Sequence, residues 1–310
     1  MTRWVEVSAP AKVNLSLCVI GRRPDGYHEL DTLMMGLALA DRLRIAERAG
    51  EDRLRVSGPQ ARGVPADARN LALRAVGAVR RLARARGHEL AGVHVELEKH
   101  IPSAAGLGGG SSDAAGAALA CAHLAGLDPD EPELLRALGE VGSDCAFFLA
   151  ARASGLARCR GRGEHVEPLS AWRGPFALLI VTPAFGCATA TVYDALPEPA
   201  GSRPLDPACL ARADLADLRA LLHNDLEAAA LRSHPALEPF RARLEDLAPG
   251  AFHLAGSGSS WFGFLDDEGA ARRVMNELAR AGSERRYALR GQWLLPATST
   301  GLAVRAMKLH

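Results

Sequence analysis

The segment from Ile101 to Ala115, IPSAAGLGGGSSDAA, limits the possible folds of this chain more than any other stretch. Val93, Val95 and Leu97 alternate upstream as a strand, and an Ala-rich helix follows to about Leu124, so the glycines stand where a strand hands over to a helix. Gly108, Gly109 and Gly110 have no Cβ, which lets an anion lie directly against the main chain. The first N–H groups of the helix, at the positive end of its dipole, then point at that anion. Ser111, Ser112 and Asp113 supply capping chemistry, and the two hydroxyls can also reach phosphate oxygens or a Mg²⁺ bound to them. A flexible linker would need neither the preceding strand nor Pro102 nor the capped helix, so a phosphate cradle is the better reading. It is not a Walker A loop, because no Gly-Lys-Ser or Gly-Lys-Thr follows, and its glycine spacing is not the dinucleotide fingerprint.

Such an anion site has to be built locally. The formal net charge is only +1 over 310 residues, which gives no global attraction to nucleic acid or to an anionic membrane. That length suits two domains, and the element pattern is α+β. The first third reads as strands at Trp4 to Val7, Val13 to Ile20, Leu37 to Ile45 and Leu54 to Val56, followed by a helix from Asn70 to Arg86. Further helices are predicted over Pro132 to Val141, Thr189 to Leu196, Leu215 to Leu222, Asp225 to Leu231 and Glu268 to Ala281. Strands are predicted at Phe176 to Val181, Phe252 to Leu254, Trp261 to Leu265 and Tyr287 to Leu295, with a surface connection from Pro197 to Pro207. A composition change between Ser170 and Pro175 places the boundary, giving domains at residues 1–170 and 171–310. The six scattered cysteines read as reduced thiols, and no apolar run has signal-peptide or membrane-spanning length, so a cytoplasmic protein is expected. Only Lys12, Lys99 and Lys308 among 37 basic residues are lysine, which draws attention to each as a compact point charge.

PSAAGLGGGSSDAA resembles the second motif of the GHMP kinases, in the form typical of diphosphocytidyl-methylerythritol kinases. APAKVNLSLCVIGRRPDGYHEL is similar to that family's N-terminal motif, GRGEHVEPL to its mid-chain signature, HNDLE to a later one and AGSGSSWFGFL to the third superfamily motif. These segments run from Ala9 to Leu265 in the family's order. The resemblance implies a two-domain fold, with an N-terminal ribosomal protein S5 domain 2-like domain and a C-terminal ferredoxin-like α/β sandwich. It implies ATP, with Mg²⁺, phosphorylating the 2-hydroxyl of 4-diphosphocytidyl-2-C-methyl-D-erythritol on the non-mevalonate route to isoprenoid precursors.

Residue by residue, the resemblance makes Lys12 and Asp144 the catalytic pair. Asp144 either takes the hydroxyl proton or chiefly orients the hydroxyl. Cys145 and Ala146 stand where the family more often has Val-Pro. The ATP site is expected at Pro102, Ser103, Ala104, Ala105, Gly106, Leu107, Gly108, Gly109, Gly110, Ser111 and Ser112, with Asn70 and Lys99 near the base and Ser111 or Ser112 meeting the metal. Tyr27 is expected to stack on the cytosine, Tyr193 to cover its other face, His28 to bond its edge, and Thr189 to touch substrate. Stacking of this kind gives about 1 to 3 kcal/mol per base. Asn14, two residues from Lys12 on an alternating strand, shares its face and should line the polyol pocket.

Overall fold

The computed structural model describes residues 3–196, 202–282, 284 and 287–309; the first part of the connection expected from Pro197 lies outside them. The chain opens with two long antiparallel strands, β1 (Arg3–Arg22) and β2 (His28–Arg48), where the alternation suggested shorter separate ones. Register shifts between Pro10 and Lys12, Asn14 and Ser16, and Val19 and Gly21 let one strand bend through residues 8–12, between the two strands expected there.

β3 (Arg53–Ser57), α1 (Leu71–Ala85) and β4 (Gly92–Glu98) follow, then α2 (Gly109–Ala125), α3 (Pro132–Val141), α4 (Cys145–Ala150), β5 (Leu156–Gly161) and β6 (His165–Pro168). The first sheet has the order β1-β2-β4-β3, with β5 on the other half of β2 and β6 on β5. Helices α1 to α4 cover one face of it. α2 is buried almost all round, as its run of alanines allows, and Gly116 lets it close down: a Cβ there would lie 3.3 Å from Val7 Cγ1.

The second sheet is built from β7 (Arg173–Pro183), β9 (Phe252–Leu254), β10 (Trp261–Leu265) and β11 (Leu289–Thr298), in the antiparallel order β11-β7-β10-β9. Between β7 and β9 come α5 (Thr189–Asp194), α6 (Leu215–Leu221), the short β8 (His223–Asn224), α7 (Leu226–Ser233) and α8 (Leu237–Leu247); α9 (Glu268–Ala281) follows β10. Strand alternation splits the sheet's side chains between two cores. Leu178, Ile180, Phe262 and Phe264 face Ala11, Val13 and Leu15 of β1, while Leu179, Val181 and Trp261 face Val192, Phe240 and Leu278 of the helices. α8 is absent from the expected helices; its Pro239 falls in the first turn, where no intrahelical donor is lost. The last strand, β12 (Ala303–Leu309), returns to pair with β1, so these residues join the first sheet although they follow residue 170.

Candidate active site

A cleft of about 580 Å³ runs between the glycine loop, the middle of β1 and the residues around Tyr193 and Gly256. Residues 102–111 form one wall of it. Gly108 caps α2 in a left-handed conformation, φ +69°, and a Cβ there would lie 2.9 Å from Lys12 Cγ and 3.1 Å from Phe148 Cζ. At Gly106, φ +75°, a Cβ would lie 1.9 Å from the Ala255 carbonyl oxygen. Glycine is required at both places, at the first to admit the lysine and at the second to let the AGSGSS segment close on the glycine loop. Ser260 N donates to Ala105 O at 3.1 Å and Lys12 N to Leu107 O at 2.9 Å, which ties both segments to the loop. Ser103 is held from outside, its carbonyl accepting from Arg290 Nη1 at 2.6 Å.

Lys12 and Asn14 share a face of β1, as alternation requires. Lys12 Nζ donates to Asn14 Oδ1 at 2.8 Å and stands 3.4 Å from Asp144 Oδ2. Asn14 Nδ2 donates to Thr32 Oγ1 at 2.8 Å, and that hydroxyl donates to Ser16 O at 2.6 Å, so the amide is oriented with its oxygen toward the ammonium. Asp144 precedes α4 at its N-cap position, yet its carboxylate makes no capping bond and is about a third exposed, at 31%. A buried cation thus faces a carboxylate that has no structural bond to give up.

Two of the residues expected at ATP, Lys99 and Ser112, hold their side-chain polar groups inside the fold. Lys99 reaches the cleft wall, but its ammonium is committed beneath the loop, donating to Asp113 Oδ2 at 2.6 Å and to Asp41. Asp41 also accepts from the backbone of Ile101 at 2.8 Å, clamping the strand end that leads into the loop. Burial pushes the Asp113 carboxyl upward, an effect that Lys99 only partly offsets, and Asp113 Oδ1 has no hydrogen-bond partner. Ser112 is turned inward: its Oγ is buried without a partner and away from the cleft. Ser111 remains on the cleft wall, its hydroxyl beside the Cys145 thiol. Asn70 lines the cleft while capping α1, Oδ1 accepting from Ala72 N at 2.9 Å.

At the end of the cleft where a base is expected, the rings are arranged among themselves. His28, not Tyr27, stacks on Tyr193, with ring centroids 5.1 Å apart and planes at 28°. Tyr27 is 54% exposed and lies under Arg162, whose guanidinium carbon is 4.9 Å from the ring centroid. Burial raises the Tyr193 phenol, and the nearby Asp144 adds to this; burial and Arg22 lower the His28 imidazole. Thr189 Oγ1 lies 2.9 Å from Ser257 Oγ on the cleft wall.

Asn224 was not foreseen as a site residue. Its Nδ2 donates to both Leu254 O and Gly256 O at 2.8 Å, and so holds the segment in which Gly256 lies against Lys12: a Cβ at Gly256 would be 3.3 Å from Nζ. HNDLE carried the signal, but nothing local in it points 30 residues away.

Residues 70–152 match the model of the GHMP kinases N terminal domain and residues 208–284 that of the GHMP kinases C terminal domain. The chain is 36% identical to a 4-diphosphocytidyl-2-C-methyl-D-erythritol kinase of Shouchella clausii, over 92% of this chain and 93% of that one. It is 40% identical to the enzyme of that name from Brucella abortus, over 87% and 89%. A crystal structure of a 4-(cytidine 5'-diphospho)-2C-methyl-D-erythritol kinase superposes with a TM-score of 0.69 at 36% identity, covering 96% of this chain and all of the other. A homoserine kinase from Cytophaga hutchinsonii gives the same TM-score at 18% identity, a likeness of fold alone.

Proposed function

The chain belongs to the 4-diphosphocytidyl-2-C-methyl-D-erythritol kinase family of GHMP kinases, and on that premise we propose that it phosphorylates that acceptor with ATP. The γ-phosphoryl group passes to the 2-hydroxyl: a bond forms between that oxygen and the γ-phosphorus, the bond to the β,γ-bridging oxygen breaks, and ADP leaves. The observation that carries this reading is the pairing of Lys12 with Asp144 at 3.4 Å beside the glycine loop. Asp144 accepts the hydroxyl proton and Lys12 counters charge on the transferring group; positioning and electrostatics do most of the work in such reactions. Asn14 lines the polyol end, and Thr189 and Ser257 offer hydroxyls to the acceptor.

The triphosphate lies along residues 102–111, against the first N–H groups of α2. Ser111 fits as the protein's contact to a Mg²⁺ carried by ATP, since its hydroxyl lines the cleft. That ion would neutralise phosphate charge. Among the described residues, the one cluster of metal-ligating type is Cys18, His223 and Asp225, none of which lines the cleft. His28 and Tyr193 receive the cytosine, which would enter between rings now stacked on each other, with Tyr27 closing from outside. We assign the reaction to the cytoplasm because all six cysteines are free thiols and five of them are buried. Among the described residues no helix is long and apolar enough to cross a membrane.

The test is an ATP-consumption assay with 4-diphosphocytidyl-2-C-methyl-D-erythritol, mevalonate and homoserine offered separately. The expected result is turnover with the cytidylylated acceptor alone, its product heavier by one phosphoryl group. Turnover with mevalonate or homoserine in its place would overturn the assignment.

A further inference from the structure

The GRGEH segment forms the turn between β5 and β6, and no step so far uses it. It carries Arg162, which lines the cleft. Three other cations on that wall already have their charge engaged. Lys12 faces Asp144 at 3.4 Å, Lys99 sits between Asp41 and Asp113, and Arg69 grips Asp67 at 2.7 Å. Arg162 is held more loosely, with Nε 3.6 Å from Glu164 Oε1 and the guanidinium over the ring of Tyr27. A guanidinium placed over an aromatic face keeps its in-plane N–H groups free to donate sideways, a geometry suited to phosphate oxygens.

Its place in the cleft is more telling than its charge. Arg162 touches Tyr27, the neighbour of His28, while the next residue, Gly163, lies against the reacting centre: a Cβ there would come within 3.9 Å of Asp144 Oδ1. The turn therefore spans the distance from the base end of the cleft to the catalytic carboxylate. An acceptor with a base at His28 and Tyr193 and a hydroxyl at Asp144 must carry its diphosphate along this turn. We propose that Arg162 binds that diphosphate and is a specificity-determining residue, selecting acceptors in which two phosphates join a base to the phosphorylated alcohol. The inference rests on the acceptor assigned above.

Arg162→Met and Arg162→Lys test it. Binding of cytidine and of CDP is measured calorimetrically with the nucleotide site saturated by a non-hydrolysable ATP analogue, beside steady-state kinetics. The parent is expected to bind CDP more tightly than cytidine. Arg162→Met should lose about tenfold or more on CDP, leave cytidine binding and the KM for ATP unchanged, and raise the KM of the acceptor in parallel. Arg162→Lys should fall between, because it restores charge but not the fork. Equal losses on cytidine and CDP would mean that Arg162 only supports Tyr27, and unchanged CDP binding would mean that it has no part in recognition; either overturns the proposal. A parent protein that discriminates CDP from cytidine through Arg162 but does not phosphorylate the acceptor leaves this inference standing and removes the reaction.

Discussion

Gly106→Ala perturbs a close approach between the glycine loop and the AGSGSS segment. The added Cβ would lie 1.9 Å from Ala255 O and 3.1 Å from Gly258 N, so the two segments must part by about 1.1 Å before the closer contact reaches the 3.0 Å below which real Cβ atoms essentially never go. Neither side yields easily. Ala255 N is bonded to Ser260 O at 2.9 Å, Ser260 N to Ala105 O at 3.1 Å, and Asn224 holds the carbonyls on both sides of Ala255. A left-handed alanine costs about 1 to 2 kcal/mol, and losing one or two of these bonds adds about 1 kcal/mol each, for a destabilisation of about 2 to 4 kcal/mol. Gly256 moves with the segment and with it the wall beside Lys12, and a 1 Å misplacement of this kind costs about 10² in rate. Gly87→Ala is the control, because Gly87 has φ +73° with nothing within 4 Å of its Cβ position, so it carries the backbone strain without the collision. Both variants are compared by urea denaturation and by kcat/KM per folded molecule. If Gly106→Ala turns over within about threefold of Gly87→Ala, far inside the loss expected from misplacement, the coupling between the loops is refuted.

Asp144→Asn should keep the melting temperature and ATP affinity, since the carboxylate makes no capping bond, while turnover falls by about 10² to 10⁴; a lower melting temperature with normal turnover per folded molecule would make it a structural residue. Lys99→Met leaves Asp41 and Asp113 facing each other in a site no more than 3% exposed, and should cost about 3 to 5 kcal/mol at pH 7 by denaturant titration. Because burial raises the Asp113 carboxyl, protonation is the favoured escape: stability of the Lys99→Met variant should recover as pH falls, and Asp113→Asn in the same background should recover it at pH 7. Stability that declines further with acid in this variant would contradict the electrostatic account.

The strand, glycine loop and helix were legible because Cβ-free residues and periodicity are local properties, and the shared face of Lys12 and Asn14 follows from a two-residue repeat. What escaped notice depends on distance along the chain. Nothing near Lys99 announces Asp41, 58 residues earlier, and without that pair the lysine reads as a ligand contact. Ser111 and Ser112 look alike in sequence, yet one helical step separates the cleft wall from the interior. α4 is six residues, too short for a period to show, so the pairing of Lys12 with Asp144 was legible only through the resemblance, and the N-cap position of Asp144 only in the structure. That His28 stacks on Tyr193 while Tyr27 lies under Arg162 was not legible either, because ring orientation at a loop end is set by what packs over it.

β1 has a mechanical consequence. Val5, Val7 and Ala9 belong to the core under α1 and α2, Ala11, Val13 and Leu15 to the core between the sheets, and Leu17 and Val19 to the core under α7 and α8. One continuous strand is thus clamped in three places, and Lys12 and Asn14 ride on its middle. A hinge there would have to break packing on both sides of it at once. Lys12 and Asn14 therefore stay fixed in the frame, whereas Tyr27 and Arg162 stand outside the clamp, on the turns at residues 23–27 and 161–164.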